Sequence, residues 1–199
     1  QGMCDIAASL RANTSVKWMN LSGNLIGPEG AVALGAALEQ NKTLETLLLE
    51  GTNIGDAGLV ALASGLKKNE GLAHLVITEP GGIFANSRFG DEGVSALAEA
   101  LKVNIKLTHL RLRVHGAECQ GCGVGIGAMA SMIESNCALK VFDFGCSEVR
   151  DDAAAVFAAA IGKNKGLQVM LAGFDILSRS DTAFARAGAG AIENNKPRE

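Results

Sequence analysis

The chain has 199 residues, room for one ordinary domain or one elongated array, and a nearly balanced charge: 18 Lys and Arg against 21 Asp and Glu, a formal net charge of -3. That balance excludes the clustered basic footprint with which nucleic-acid binders neutralise phosphates, and no apolar run reaches the roughly 18 to 20 residues of a membrane-spanning helix. Hydrophobic residues make up 48% but aromatics only 4%, with 25 Gly and no Tyr, so a core has to be built from Leu, Ala, Val and Ile. Five Cys without the spacing of a small secreted disulfide framework, and no leader-like opening, give the expectation of a soluble, cytoplasmic protein in a reducing compartment.

The chain opens inside or just before a helix, Asp5 to Ala12, which runs out at Leu10 and Asn13. Val16, Met19 and Leu21 follow at positions 1, 4 and 6 of a unit whose strand points positions 4 and 6 to one face. Gly27-Pro28-Glu29 then places Pro and an acid in the first turn of a helix that ends near Leu38 and Asn41. The second unit repeats the order with Leu44, Leu47 and Leu49, a capping Asp56, a helix carrying Leu59, Leu62, Ala63 and Leu66, and Asn69. The third has Leu72, Leu75 and Ile77, a capping Asp91, a helix with Val94, Leu97, Ala98 and Leu101, and Asn104. The fourth runs from Leu107, Leu110 and Leu112 to Ile133 and Asn136, and the fifth from Leu139, Phe142 and Phe144 through Asp151 or Asp152 to Ile161 and Asn164. The sixth starts at Leu167 and is poor, with Gly188 where a large apolar helix residue belongs, before Glu193-Asn-Asn-Lys-Pro-Arg looks like another helix exit.

The residues Asn13, Asn41, Asn69, Asn104, Asn136 and Asn164 step by 28, 28, 35, 32 and 28. The apolar residues three before them and three after them step identically, which marks an internal repeat of strand, turn and helix. Each Asn is expected to end its helix in the left-handed conformation. The third and fourth units are longer by 7 and 4 residues than the 28-residue unit, with the extra length between strand and helix, at roughly Glu79 to Phe89 and His115 to Gly127.

The pattern L-x-x-L-x-L followed by N-x-I-G-x-x-G-x-x-A-L-x-x-x-L-x-x-N, clearest over residues 16–41 and 44–69, resembles the leucine-rich repeats of the ribonuclease-inhibitor-like subtype, also seen in NLR receptors and the Ran GTPase activator. The resemblance implies an α/β fold: a leucine-rich-repeat solenoid, a curved right-handed β-α array of about six repeats of 28–35 residues with a parallel sheet on the concave face and helices on the convex face. It implies one such domain over residues 1–199. No distinct polar cap is evident at either end, so the chain is expected either to be a segment of a longer array or to associate through its ends, with its own copies included. Thr52, Pro80, His115, Ser147 and Asp175 replace Asn24 at the turn, and an irregular row of turn side chains is expected there.

Strand positions 3, 5 and 7 face outward and are free of packing duty. Position 3 forms a column of Trp18, Thr46, His74, His109, Val141 and Val169. Trp18, the only Trp, either anchors a partner or awaits cover by a preceding unit. His74 and His109 offer a pH-sensitive contact or a solvated surface. Arg111 and Arg113 beside Asp143 suit a carboxylate or phosphate on a partner, or neutralise one another. The enlarged edge contributes Ile83, Phe84 and Arg88, unless its loops only drifted in length.

His115, Cys119, Cys122 and Cys146 are the only constellation with metal-like spacing, a zinc set if the loops converge and a thiol pair or plain buried Cys if they do not. Gly121, Gly123, Gly125 and Gly127 precede a helix, but the Lys and Ser or Thr of a phosphate loop are absent. With no catalytic signature and no cofactor motif, the expectation is a noncatalytic protein–protein interaction or scaffold module. It would bind another protein, and neither nucleic acid nor membrane, through the concave face and the enlarged loops of repeats three and four. The alternatives implied by resemblance are a GTPase-activating protein of the Ran-activator type and a ligand-sensing segment of an NLR-like receptor.

Overall fold

The computed structural model describes residues 2–78, 89–114, 123–146 and 151–174. Helices and strands alternate through these residues: α1 (Gly2–Ala12), β1 (Trp18–Asn20), α2 (Gly27–Gln40), β2 (Thr46–Glu50), α3 (Gly55–Leu66), β3 (His74–Thr78), α4 (Asp91–Val103), β4 (His109–Val114), α5 (Gly123–Ser135), β5 (Val141–Cys146), α6 (Asp151–Lys163) and β6 (Val169–Phe174). The six strands form one parallel sheet in chain order, β1 to β6.

The registers carry the repeat arithmetic into space, with Trp18 beside Thr46, Thr46 beside His74, His74 beside His109, His109 beside Val141 and Val141 beside Val169. Alternation then decides sides. Leu47 and Leu49, Leu75 and Ile77, Leu110 and Leu112, and Phe142 and Phe144 are buried against the helices, as the two-residue period requires. The helices meet them with Leu34 and Leu38, Leu59 and Leu62, and Leu97 and Leu101. In the fifth unit rings replace leucines: Phe144 lies 5.7 Å from Phe142 and 5.6 Å from Phe157, centroid to centroid. Neighbouring helices need about 8–10 Å between axes whereas paired strands need only about 4.8 Å, so the layer bends with its strands on the inside.

The asparagines that follow the helices do not take the left-handed conformation. Asn41 and Asn104 are extended, at φ -77° and ψ 124° and φ -75° and ψ 124°. What their side chains do explains the repeat. Asn69 donates from Nδ2 to the carbonyl oxygens of Leu38 (2.6 Å) and Asn41 (2.9 Å) in the preceding unit, and its Oδ1 accepts from the backbone N–H of Gly71 (3.0 Å) and Leu72 (2.7 Å) in its own. Asn41, Asn104, Asn136 and Asn164 make the same four bonds, each reaching back one unit. Extended backbone is what aims the amide across the stack, and four bonds per side chain make burial of this polar group tolerable. At the first rung Asn13 accepts from Ser15 and Val16, while its Nδ2 has no acceptor among the described residues.

The aspartates also act across the stack. Asp56 was expected to cap its own helix, yet α3 begins without a side-chain cap; Asp56 Oδ1 instead accepts from the N–H groups of Gly90 and Gly93, both at 2.9 Å, at the start of α4. Asp91 serves α5 in the same way, accepting from Gly125 N–H at 2.9 Å. A Cβ at Gly93 would overlap the Asp56 carboxylate. Gly55, at φ 61°, turns the chain into α3 through a conformation a side chain would resist. The turn row is irregular where it is described: Thr52 is buried and donates to the Leu49 carbonyl, whereas Asn24 is exposed and donates to Leu21 and Ser22.

Candidate functional site

The outward strand positions build one continuous face. Trp18 stands at its β1 edge, 58% exposed. Along β2 and β3 the face carries Thr46, Leu48 and Glu50, then His74, Val76 and Thr78, none of them buried. Thr46 Oγ1 is hydrogen-bonded to His74 Nδ1 at 3.2 Å. Thr108, just before β4, bonds His109 Nδ1 through its hydroxyl at 2.9 Å.

The register brings the two imidazoles together edge to face, with centroids 4.3 Å apart. Burial, and secondarily the neighbouring His74, hold the His109 pKa below its ordinary 6.5. The threonines that fix both rings were missed by sequence reasoning. The 28-residue offset between Thr46 and His74 carried the signal for one of them, and nothing marked Thr108.

Arg111 and Arg113 do converge on Asp143. Arg111 Nε donates to Asp143 Oδ2 at 2.7 Å, and Arg113 Nη2 donates to both carboxylate oxygens at 3.3 Å. Asp143 is not an open outward position, because the guanidiniums roof it to 2% exposure while their own side chains stay 29% and 42% exposed. Of the two sequence readings of this trio, mutual neutralisation therefore holds for the carboxylate, and the arginines are what faces solvent. Two guanidiniums over one carboxylate leave one net positive charge.

Ile83, Phe84 and Arg88 lie outside the described residues, as do His115, Cys119 and Cys122. Cys146, the fourth candidate zinc ligand, ends β5 in register with Val114 and Phe174. Among the described residues no three His, Cys, Asp or Glu side chains cluster as metal ligands. The second insertion ends earlier than expected, since Gly123, Gly125 and Gly127 belong to α5, and the Gly125 N–H that a phosphate loop would offer is already bonded to Asp91. A separate hollow of about 310 Å³ opens at the β1 end of the stack, lined by Asp5, Ile6, Ser9, Leu10, Asn13, Val16 and Met19. No helix among the described residues is long and apolar enough to cross a membrane.

Comparison with known proteins bears on the scaffold. The family described as Leucine Rich repeat matches residues 12–35 and 40–63. No curated protein matches the sequence. Among solved structures the chain is similar to actin-binding site 2 of leiomodin-1, at 19% identity and a TM-score of 0.63, covering 82% of this chain and 87% of that one. It is likewise similar to the tropomodulin C-terminal domain of Caenorhabditis elegans, at 20% identity and a TM-score of 0.62, covering 82% of this chain and 93% of that one. At such identities the likeness is one of fold. Two matched repeats, a single parallel sheet in chain order and helices on one side of it give the described residues the α/β fold of a leucine-rich-repeat solenoid.

Proposed function

We propose that the chain is a noncatalytic protein-interaction module that docks another protein on its concave strand face. The enlarged loops of units three and four, with Ile83, Phe84 and Arg88, extend that surface, and Trp18, His74, His109, Arg111 and Arg113 are its contact residues. One observation carries this reading: the strand face presents an aromatic, two imidazoles and two guanidiniums at positions the core does not need. Rigid scaffolds that expose such residues commonly bind proteins. The apolar hollow beside β1 supports contact with an apolar surface of another protein there, a second copy included. Exposed free thiols at Cys4 and Cys137 fit a reducing, cytoplasmic setting. The Ran-activator and receptor-sensor readings, like the ribonuclease-inhibitor-like subtype, rest on the shared repeat motif alone.

Because leiomodin-1 supplies a structural likeness that is an actin-binding site, actin is the first candidate partner. The test pairs actin co-sedimentation with affinity capture from lysate, using the wild-type chain, a strand-face variant (Trp18→Ala with His74→Ala) and a helix-face variant at the exposed Val32 (Val32→Glu). A partner retained by the helix-face variant and lost from the strand-face variant, with both folded by circular dichroism, is the expected result. Loss from the helix-face variant alone would overturn the assignment of the strand face.

A further inference from the structure

The strand β4 presents His109, Arg111 and Arg113 on one side of the sheet, at every second residue. Alternate residues of a strand lie about 6.6–6.8 Å apart, the same repeat as in any extended peptide. Arg111 spends only its Nε–H on Asp143, and Arg113 only Nη2. Both Nη groups of Arg111 and the Nε and Nη1 of Arg113 have no acceptor among the described residues. Asp143 beneath them cannot serve a partner, being 2% exposed, but it fixes where both planar donors stand.

Resting on the reading of the strand face as a binding surface, the geometry points to an acidic, extended polypeptide segment as its partner, with carboxylates at alternate residues set against His109, Arg111 and Arg113. The uncommitted donors select that ligand: Arg111 keeps both Nη groups, the pair of N–H donors that a planar carboxylate accepts side by side, and Arg113, two residues on, keeps Nε and Nη1 for the next carboxylate of an extended segment. Glu50 sits in the same row as Arg113, two strands away by way of Thr78, and repels an acidic segment that strays toward β2. On the far side β5 offers the uncharged Val141 and Gly145 beside His109 and Arg113. The docking line is therefore confined to β4 by its neighbours.

The experiment measures fluorescence anisotropy of a labelled nine-residue peptide alternating Glu and Ser, against the same peptide with Gln for Glu and with phosphoserine for Glu, on the full chain. The Glu peptide is expected to bind at least about tenfold more tightly than the Gln peptide, and to lose at least about tenfold on Arg111→Gln with Arg113→Gln, the scale of charge-assisted hydrogen bonds. Arg111→Lys with Arg113→Lys keeps the charge and loses the planar forks, so it should recover only part of the loss, and it serves as the folded control if the Gln pair fails to fold. Equal affinity for Glu and Gln peptides, preference for the phosphopeptide, or full affinity in the lysine pair would overturn the proposal. A Glu peptide that fails to bind while a protein partner is still lost from the Trp18 and His74 variant would remove this inference and leave the broader function standing.

Discussion

At the scale of single residues, the same amino acid in the same repeat slot has very different worth. Asn69, 4% exposed, satisfies two carbonyls and two N–H groups that lie away from water, so Asn69→Ala orphans several buried groups together. It should lower unfolding free energy by about 3 kcal/mol or more. Asn13→Ala removes only the local bonds from Ser15 and Val16 at the partly exposed first rung, and should cost about 1 kcal/mol. Urea unfolding of both variants checks the order.

His109 contributes a pH dependence of definite sign. Its folded-state pKa is depressed below the ordinary 6.5, so the stability it confers is present above that value and is lost as pH falls through the lower folded value. The groups around it are His74 on β3, Arg111 on its own strand, and the uncharged Val141 on β5, with Asp143 one pair further on and already bonded to both arginines. His109→Gln should therefore flatten the decline of the urea midpoint between about pH 7 and pH 5 relative to wild type. An unchanged slope would mean that the burial of His109 has no energetic consequence.

Among the elements, capping is lent from one helix to the next. Asp56→Ala leaves the first amides of α4, not α3, without their acceptor, and should cost about 1–2 kcal/mol. Hydrogen exchange should quicken at the start of α4 while the start of α3 is unchanged. Faster exchange in α3 alone would show that the carboxylate caps its own helix.

This lending was illegible in the sequence because proximity along the chain, Asp56 to Gly55, competes with proximity across the stack, which only the packing of consecutive helices creates. The asparagines misled for the same reason. A residue that follows a helix reads locally as a left-handed stop, and its true task needs carbonyls 28 to 38 residues upstream. The strand register, by contrast, was readable residue by residue, since a two-residue period and a strict repeat together set the backbone partners of β1 to β6.

For the molecule as a whole, the order of the sheet was legible because a repeat that cannot bury its own apolar side has only its sequence neighbours to lean on. Of the candidate site, the face that its strand residues share was legible and their arrangement was not. Trp18, His74, His109, Arg111, Arg113 and Asp143 all fall on the strand face, but that Asp143 would sink beneath two guanidiniums follows from side-chain geometry that spacing does not encode.

The asparagine rungs have one more property: they all point backward. Asn41, Asn69, Asn104, Asn136 and Asn164 take their carbonyl partners from residues with lower numbers, and accept from amides only two and three places ahead. A polypeptide made from its amino end therefore has each rung's distant partners finished before the asparagine itself is added. Assembly can proceed vectorially, one turn of the coil locking as it leaves the ribosome, with no segment obliged to wait for the far end of the chain.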